Sequence, residues 1–297
     1  MFDCIIIGCG YVGRRVAALE QAAGRSVLGV VRSADSAAAL AASGIEARTA
    51  DLDQPESLAP LPLAGATVYY LAPPPPRGDR DPRMEGFVGI LRRSGVPDRV
   101  VLISTTGVYG DCAGEWVDEQ RTPRPQADRA RRRLAAEETL RQWGRDQRAA
   151  VVVLRVPGIY GPGRLPVTRL RQGLPVLREA EAPFSNRVHV DDLARACLAA
   201  ARRGANGAVY NVSDGAPSTM TDYFNRVADA VGLPRPPQIS LEQARRELSP
   251  GMLSYLAESK RLDTRRMREE LGVIPEFGDL GAGLRASVGG TGETPPG

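Results

Sequence analysis

The chain opens on a short apolar run, Asp3-Cys4-Ile5-Ile6-Ile7, and similar runs recur through its first half. They lie at 26–31 (SVLGVV), 45–49 (IEART), 67–71 (TVYYL), 99–103 (RVVLI) and 150–155 (AVVVLR). Several are apolar at every position, as expected of strands covered on both faces. Ala- and Leu-rich stretches of helical character separate them, near 11–23, 34–43, 83–94 and 126–143. Strand-helix-strand repetition of this kind predicts an α/β fold, a doubly wound parallel sheet with right-handed crossovers.

The texture changes after Val156. The segment PGIYGPGRLP is a Gly/Pro-rich loop, followed by a short helix near 166–172 and an irregular stretch to Asn186. RVHV then leads into a helix near 191–203, a strand at 209–213 (VYNVS) and a helix near 219–231. Residues 233–278 have Pro-rich joints around an amphipathic helix at 241–248, and the tail from Ser287 to Gly297 (SVGGTGETPPG) reads as disordered.

Composition narrows the function classes. The 297 residues are 42% hydrophobic and 25% charged, ordinary for a globular protein large enough to bury a full core. The net charge of +4 is spread among acids instead of forming a basic stripe, so nucleic acid is not an expected partner. All but one of the 39 basic residues is arginine, Lys260 being the exception. A bias this general reflects genome composition, and arginine can therefore stand where lysine is the usual choice. Cys4, Cys9, Cys112 and Cys197 form no C-x-x-C pair, and His189 is the sole histidine, so no metal site is expected. Such cysteine usage suits reduced thiols and a cytoplasmic location. No cationic leader precedes the first strand and no apolar stretch reaches 18 residues, which argues against a signal peptide and a membrane span.

The first candidate chemistry is Gly8-Cys9-Gly10-Tyr11-Val12-Gly13, a G-x-G-x-x-G that directly follows a strand and opens a helix. Gly8 permits the tight turn, Gly10 lets backbone approach a pyrophosphate, and Gly13 lets the helix pack close to the strand. Helix N–H groups at Tyr11 and Val12 then face the phosphates. The pattern predicts a Rossmann-like nucleotide site. An NAD site usually has an acid at the end of the second strand to bind the ribose 2′-hydroxyl. Here that position reads Val30-Val31-Arg32-Ser33, and Arg32 suits a 2′-phosphate, favouring NADP over NAD. The second candidate is LISTTGVYG at 102–110, where hydroxyls crowd the end of the fifth strand. Such hydroxyls serve catalysis or simply satisfy a turn.

Taken together, several stretches resemble the extended short-chain dehydrogenase/reductase superfamily, the NAD-dependent epimerase/dehydratase family. The resemblance rests on GCGYVG, Asp51-Leu52-Asp53, ISTTGVYG, LRVPGIYGPGR at 154–164, RVHVDDLA at 187–194, YNVSDGAPSTMTDYFNRVADAVGLP at 210–234 and SKRLDTRRMREELGV at 259–273. It implies an NAD(P)-binding domain of residues 1–156 with 186–213, and a smaller C-terminal substrate domain of 157–185 and 214–286. It further implies that Asp51 and Leu52 border the adenine, that Leu71 and Ala72 border the cofactor after the fourth strand, and that Thr105 acts beside the reacting oxygen. Family dimers pair the helices equivalent to 83–94 and 126–143, which leaves a homodimer open.

One part of the resemblance fails. Where the family carries a helical Y-x-x-x-K pair, the chain has Arg129-Ala130-Arg131-Arg132-Arg133 before Leu134-Ala135-Ala136-Glu137. Arg133 stands at the lysine position and can still bond a ribose hydroxyl. Arg129 stands at the tyrosine position, and a guanidinium does not give up a proton at usable pH. No tyrosine occurs between 110 and 159. The chain thus resembles an atypical branch lacking the tyrosine. Arg129, Arg133 and Glu137 share one helix face, either solvated and charge-paired or turned to the cleft. Replacement acid–base groups are sought at Thr105, Tyr109 and Asp111 on the loop after the fifth strand and at Tyr160 on the loop after the sixth, and substrate contacts at Thr106, Tyr160 and Arg164. His189 within RVHVDD is read as structural. Two functions stay open: an NAD(P)-dependent oxidoreductase, epimerase or dehydratase acting on a carbonyl or carbinol of a small, sugar-nucleotide-like substrate, or an NADP-binding sensor or assembly module with reduced catalysis.

Overall fold

The computed structural model describes residues 2–289. Its centre is a seven-stranded sheet in which every neighbouring pair runs parallel. Five strands are β1 (Cys4–Ile7), β2 (Val27–Val31), β3 (Glu46–Thr49), β4 (Thr67–Tyr70) and β5 (Arg99–Thr105), joined by Val151–Val156 and Val209–Asn211. Across the sheet the order is Val209–Asn211, Val151–Val156, β5, β4, β1, β2, β3.

Alternation within the buried strands builds two cores. Cys4 and Ile6 face one layer with Val16, Leu40, Leu193 and Cys197. Ile5 and Ile7 face the other with Phe87, Leu91, Leu140 and Trp143. The first layer is made by α1 (Tyr11–Ala22), α2 (Ala34–Ala42) and the helix Val190–Arg203; the second by α3 (Pro82–Ser94) and α4 (Asp128–Gln147). Completely apolar runs such as CIII and VVVLRV are buried along their whole length because helices cover both faces. The run at 45–49 differs: β3 is the sheet edge and most of it is exposed.

Element ends follow local chemistry. Ser33 caps α2 through Ser36 N–H, Asp81 caps α3 with Pro82 at its first position, and Thr219 caps Met220–Ala230. The helix Leu241–Glu247 opens on a reciprocal capping box between Ser240 and Gln243. The fourth helix runs on past 143 to Gln147 and stops where Arg148 turns left-handed at φ 53°.

Two helices depart from the sequence reading. Pro250–Leu256 forms a helix capped by Ser249, within the segment 233–278 where only a helix at 241–248 among Pro-rich joints is expected. Leu280–Gly289 is also helical, so the expected disordered tail begins too early. Ser287 lies inside that helix, its hydroxyl donating to the Gly283 carbonyl at 2.6 Å, while residues 290–297 fall outside the described residues. Its glycine-rich sequence has poor helix propensity, and tertiary packing holds it. Leu280 and Leu284 close a small core with Tyr160, Leu170, Phe224 and Val227, and a side chain at Gly283 would overlap the Tyr160 hydroxyl.

Candidate active site

The sheet order reverses between β1 and β4, whose following helices lie on opposite faces. Ligands of doubly wound sheets bind in the crevice beyond the strand ends at such a point. Gly8 ends β1 there with φ +84°, a conformation L side chains rarely adopt. A Cβ on Gly8 would also lie 2.7 Å from the Ala72 backbone nitrogen. Gly13 faces the Gly8 carbonyl and Ile6, each 3.1 Å from where its Cβ would stand, so helix and strand touch. At Gly10 nothing lies within 4 Å, and the start of α1 looks into open space. These three positions separate cleanly: one turns, one packs, one leaves room for a ligand.

The neighbours of this turn converge. Tyr11 donates its hydroxyl to the Pro162 carbonyl at 2.9 Å, and the Arg164 guanidinium lies 4.9 Å from the Tyr11 ring centre. The loop after Val151–Val156 is thereby fastened to the glycine turn. Val12 packs against the sheet core. At the end of β2, Arg32 is exposed, and among the described residues no carboxylate is within ion-pair reach of it. Asp51 accepts the Asp53 N–H at 3.0 Å, and Leu52 packs on the core behind it. Asp53 is held by a two-point pair with Arg83, at 2.7 and 2.6 Å. Those bonds, more than the charge of nearby Arg32, keep its carboxyl below the usual range.

Leu71 and buried Ala72 follow β4, and the Ala72 carbonyl accepts Arg133 Nη2 at 3.0 Å. The other terminal nitrogen of Arg133, Nη1, is buried and has no hydrogen-bond partner. Burial pushes this guanidinium's pKa down. An open glycine turn, a free cation at 32 and an orphaned donor at 133 fit a dinucleotide, its 2′-phosphate and a ribose hydroxyl respectively.

A cleft of about 480 Å³ opens beside this site. Thr105, Thr106, Tyr160 and Arg164 line it, together with Arg129, Arg187, Tyr255, Glu258 and Lys260. The three hydroxyls that end β5 divide their work. Ser104 is buried and bonds Glu137. Thr105 accepts the Gly107 N–H at 3.2 Å, capping the short turn Thr106–Tyr109, and still borders the cleft. Thr106 borders it next door.

Tyr109, expected near the chemistry, does not line the cleft. It is 1% exposed, donates to Asn211 Oδ1 at 2.7 Å and lies under the Arg155 guanidinium. Burial pushes its phenol up to about 12. The turn that aims Thr105 outward rotates Tyr109 inward, where it braces the loop. Tyr160 borders the cleft but is also 1% exposed, its hydroxyl buried, unpartnered and set against Gly283. Burial raises its pKa well beyond the phenol range, so it contributes surface rather than a proton. His189 caps the helix Val190–Arg203, Nδ1 accepting the Asp191 N–H, and its ring packs on Tyr160 and Phe277. Burial lowers its pKa, in keeping with the neutral imidazole that this cap requires.

The α4 face is not a solvated one. Glu137 is buried and paired with Arg155 at 2.8 Å. Arg129 turns to the cleft, donating to Ser254 Oγ at 2.6 Å with its guanidinium 3.9 Å from the centre of the Tyr255 ring. The site also has cleft residues that sequence reasoning missed. Arg187 is 5% exposed and spends its donors on Ser185, Ser218 and Thr219 oxygens, with no carboxylate in ion-pair reach among the described residues. Tyr255, Glu258 and Lys260 arrive from a segment more than a hundred residues downstream of α4. The oddity of a lone lysine was the one available signal.

A parallel doubly wound sheet with a glycine turn at its switch point, opening on a polar cleft, defines a dinucleotide-binding protein of the Rossmann class. Residues 85–213 match the NAD dependent epimerase/dehydratase family. The chain belongs to that family. It is 30% identical to a functionally unknown conserved protein from Silicibacter pomeroyi DSS, with a TM-score of 0.81 over 96% of this chain and 98% of that one. It is 28% identical over 288 residues to Protein YeeZ of Escherichia coli, covering 92% of this chain and 96% of the relative. To the GDP-6-deoxy-D-mannose reductase of Pseudomonas aeruginosa it is 29% identical over 206 residues, covering 60% of this chain and 68% of that enzyme.

Proposed function

We propose that this family member is an NADP(H)-dependent enzyme that reduces or oxidises a carbonyl or carbinol carbon of a small anionic substrate, without the tyrosine of its relatives. The observation that carries this reading is the charge of the cleft. Arg129, Arg164, Arg187 and Lys260 line it against a single carboxylate, Glu258. Arg187 is buried with no carboxylate in ion-pair reach among the described residues, Asp214 and Asp222 acting on it only from farther off, and a ligand's charge would complete the arrangement. A phosphate or carboxylate on the substrate supplies that charge, and guanidinium forks suit either. The reductase similarity supports a sugar-nucleotide-like molecule.

The residues then take the following parts. The turn Gly8–Gly13 receives the pyrophosphate, with Tyr11 and Val12 at the helix start. Arg32 pairs with the 2′-phosphate. Asp51 and Leu52 border the adenine, Leu71 and Ala72 the inner ribose, and Arg133 Nη1 bonds a ribose hydroxyl. When bound, the nicotinamide supplies or accepts the hydride. Thr105 orients the reacting oxygen, Thr106 and Tyr160 shape the pocket, and Arg164 and Arg187 hold the substrate's anion.

The test is a titration with NADPH and NADH, followed by a screen of carbonyl compounds. Tight NADPH-preferring binding is expected, and Arg32→Ala should weaken NADPH about 10–100-fold while leaving NADH unmoved, the scale of lost charged hydrogen bonds. An unchanged NADPH/NADH ratio would refute the role of Arg32. The arginine at position 129 favours a second reading, a dinucleotide sensor without turnover. Binding without oxidation of NADPH by any carbonyl compound, insensitive to Thr105→Val, is what that reading requires.

A further inference from the structure

The catalytic reading names no proton donor: Arg129 cannot release one, Tyr109 is turned away, and of the three phenols lining the cleft burial raises Tyr160 and Tyr223 while Tyr255 lies against the Arg129 guanidinium. The chain retains one lysine among 39 basic residues, and it stands in this cleft. Lys260 is 6% exposed, and its ammonium lies 2.8 Å from Glu258 Oε2. Its position is closely determined. Asn186, itself buried, donates Nδ2 to the Lys260 carbonyl at 2.9 Å and accepts the Leu262 N–H at 2.9 Å. The strand Arg261–Leu262 pairs with Trp116–Val117 beyond β5. The segment is thus pinned to the loop that follows Thr105 and Thr106.

Ion pairing does not explain why this residue is lysine. An arginine binds a carboxylate at least as well, through two nitrogens, and this chain uses arginine everywhere else. What arginine lacks is a transferable proton: its pKa lies above 12, against about 10.4 for an ordinary lysine. The partner has a matching peculiarity. Glu258 Oε2 holds Lys260, while Oε1 is buried with no hydrogen-bond partner, Arg129 Nη2 lying 3.8 Å from it. A carboxylate with one oxygen free beside an ammonium can pass protons on.

We propose that Lys260 is the proton donor of the cleft, standing in for the absent tyrosine, with Glu258 as the group that reloads it. This rests on the reductase reading above. In the reducing direction the dinucleotide's hydride brings an electron pair to the carbonyl carbon, and the C=O π pair moves to oxygen. One N–H bond of Lys260 breaks, its electron pair stays on Nζ, and the O–H bond of the carbinol forms. A proton from water returns to Nζ by way of Glu258. The other ionisable groups around the pair are Asp111 and Cys112 on the loop after β5, Arg129 on α4, Tyr255 on the 250–256 helix and Arg187 on the cleft wall. Asp111 is committed to the Ser259 N–H at 2.8 Å. Cys112 is buried, and burial raises its thiol.

A single lysine makes the test direct. Full-length protein labelled with ε-¹³C lysine shows one lysine resonance, which is followed against pH with and without saturating NADP⁺. Dinucleotide binding is measured separately by calorimetry, and carbonyl reduction is compared in wild type, Lys260→Arg and Tyr255→Phe. The expected result is that NADP⁺ moves the Lys260 resonance. Reduction should fail as pH rises through the same midpoint, and Lys260→Arg should lose about 10²–10⁴-fold in kcat with dinucleotide affinity kept. If NADP⁺ binds but leaves the resonance unmoved, the proposal is overturned, and this arm requires neither a variant nor a known substrate. It is equally overturned if Lys260→Arg works as well as wild type, or if the loss falls on Tyr255→Phe instead. Failure to bind any dinucleotide sinks the reductase reading itself, and the role of Lys260 with it.

Discussion

At the ends of β1 and β4 the glycine turn is shaped by backbone, while the cleft beside it is lined, around α4 and residues 249–262, by side chains from separate segments. In the first region Gly8, Gly10 and Gly13 act by having no side chain, and each role follows from where the chain turns. In the second, Arg129, Ser254, Tyr255, Glu258 and Lys260 form one contact network although 131 residues separate its ends. A backbone site tolerates little change and announces itself as a motif. A side-chain site depends on residues that the fold collects, and it leaves no such motif.

The contrast can be broken most severely at the base of the second region. Glu137→Ala leaves Arg155 buried and uncompensated, and should cost about 3–5 kcal/mol in urea unfolding. A cost below 1 kcal/mol would mean that the pair is not a support of the α4 face. In the first region, Gly8→Val adds a branched side chain where φ is positive and Ala72 is in contact. Left-handed strain and overpacking together predict a loss of about 2–5 kcal/mol, with dinucleotide binding abolished in any folded fraction.

Asp214, bonded to the backbone of the cleft residue Arg187, gives a pH-dependent measure of the cleft wall. Its backbone N–H donates to the Arg187 carbonyl at 2.9 Å, and its Oδ2 is buried without a partner. Burial pushes the carboxyl up to about 6, with Asp192 adding to the rise and the Ala216 N–H and Arg187 opposing it. Between about pH 4 and 6 the folded chain therefore binds more protons at this site than the unfolded chain, and stability falls as pH rises. Above that window the loss levels off at about 3 kcal/mol. Asp214→Asn should flatten this slope relative to wild type in chemical unfolding between pH 4 and 7; parallel curves would refute it.

The smallest effect sharpens the division in the turn after β5. Tyr109→Phe removes the bond to Asn211 and should cost about 1 kcal/mol of stability while dinucleotide affinity and turnover stay the same. Loss of kcat without loss of stability would return Tyr109 to the chemistry.

How far the sequence could be read follows the same line. Strands such as CIII and VVVLRV were legible because coverage on both faces imposes an apolar run, and the glycine turn because a positive φ at Gly8 and close packing at Gly13 select against a side chain. Thr105 and Tyr109 were not separable, since one short turn sends the first outward and the second into Asn211. Helix Leu280–Gly289 was missed because its glycines deny local helix preference, whereas Tyr160 needs the closeness that Gly283 allows.

The order of apolar and polar residues thus determined the strand-helix alternation of the doubly wound sheet and the glycine turn after its first strand, both properties of local conformation and burial, while the strand order and its switch point came from the tertiary structure. Only the tertiary structure decided which hydroxyl meets the cleft, that Arg187 lies there with no carboxylate in ion-pair reach among the described residues, and that Glu258 and Lys260 line the same cleft as Thr105. Those facts depend on contacts between residues far apart in the chain, and local pattern carries no information about such distances.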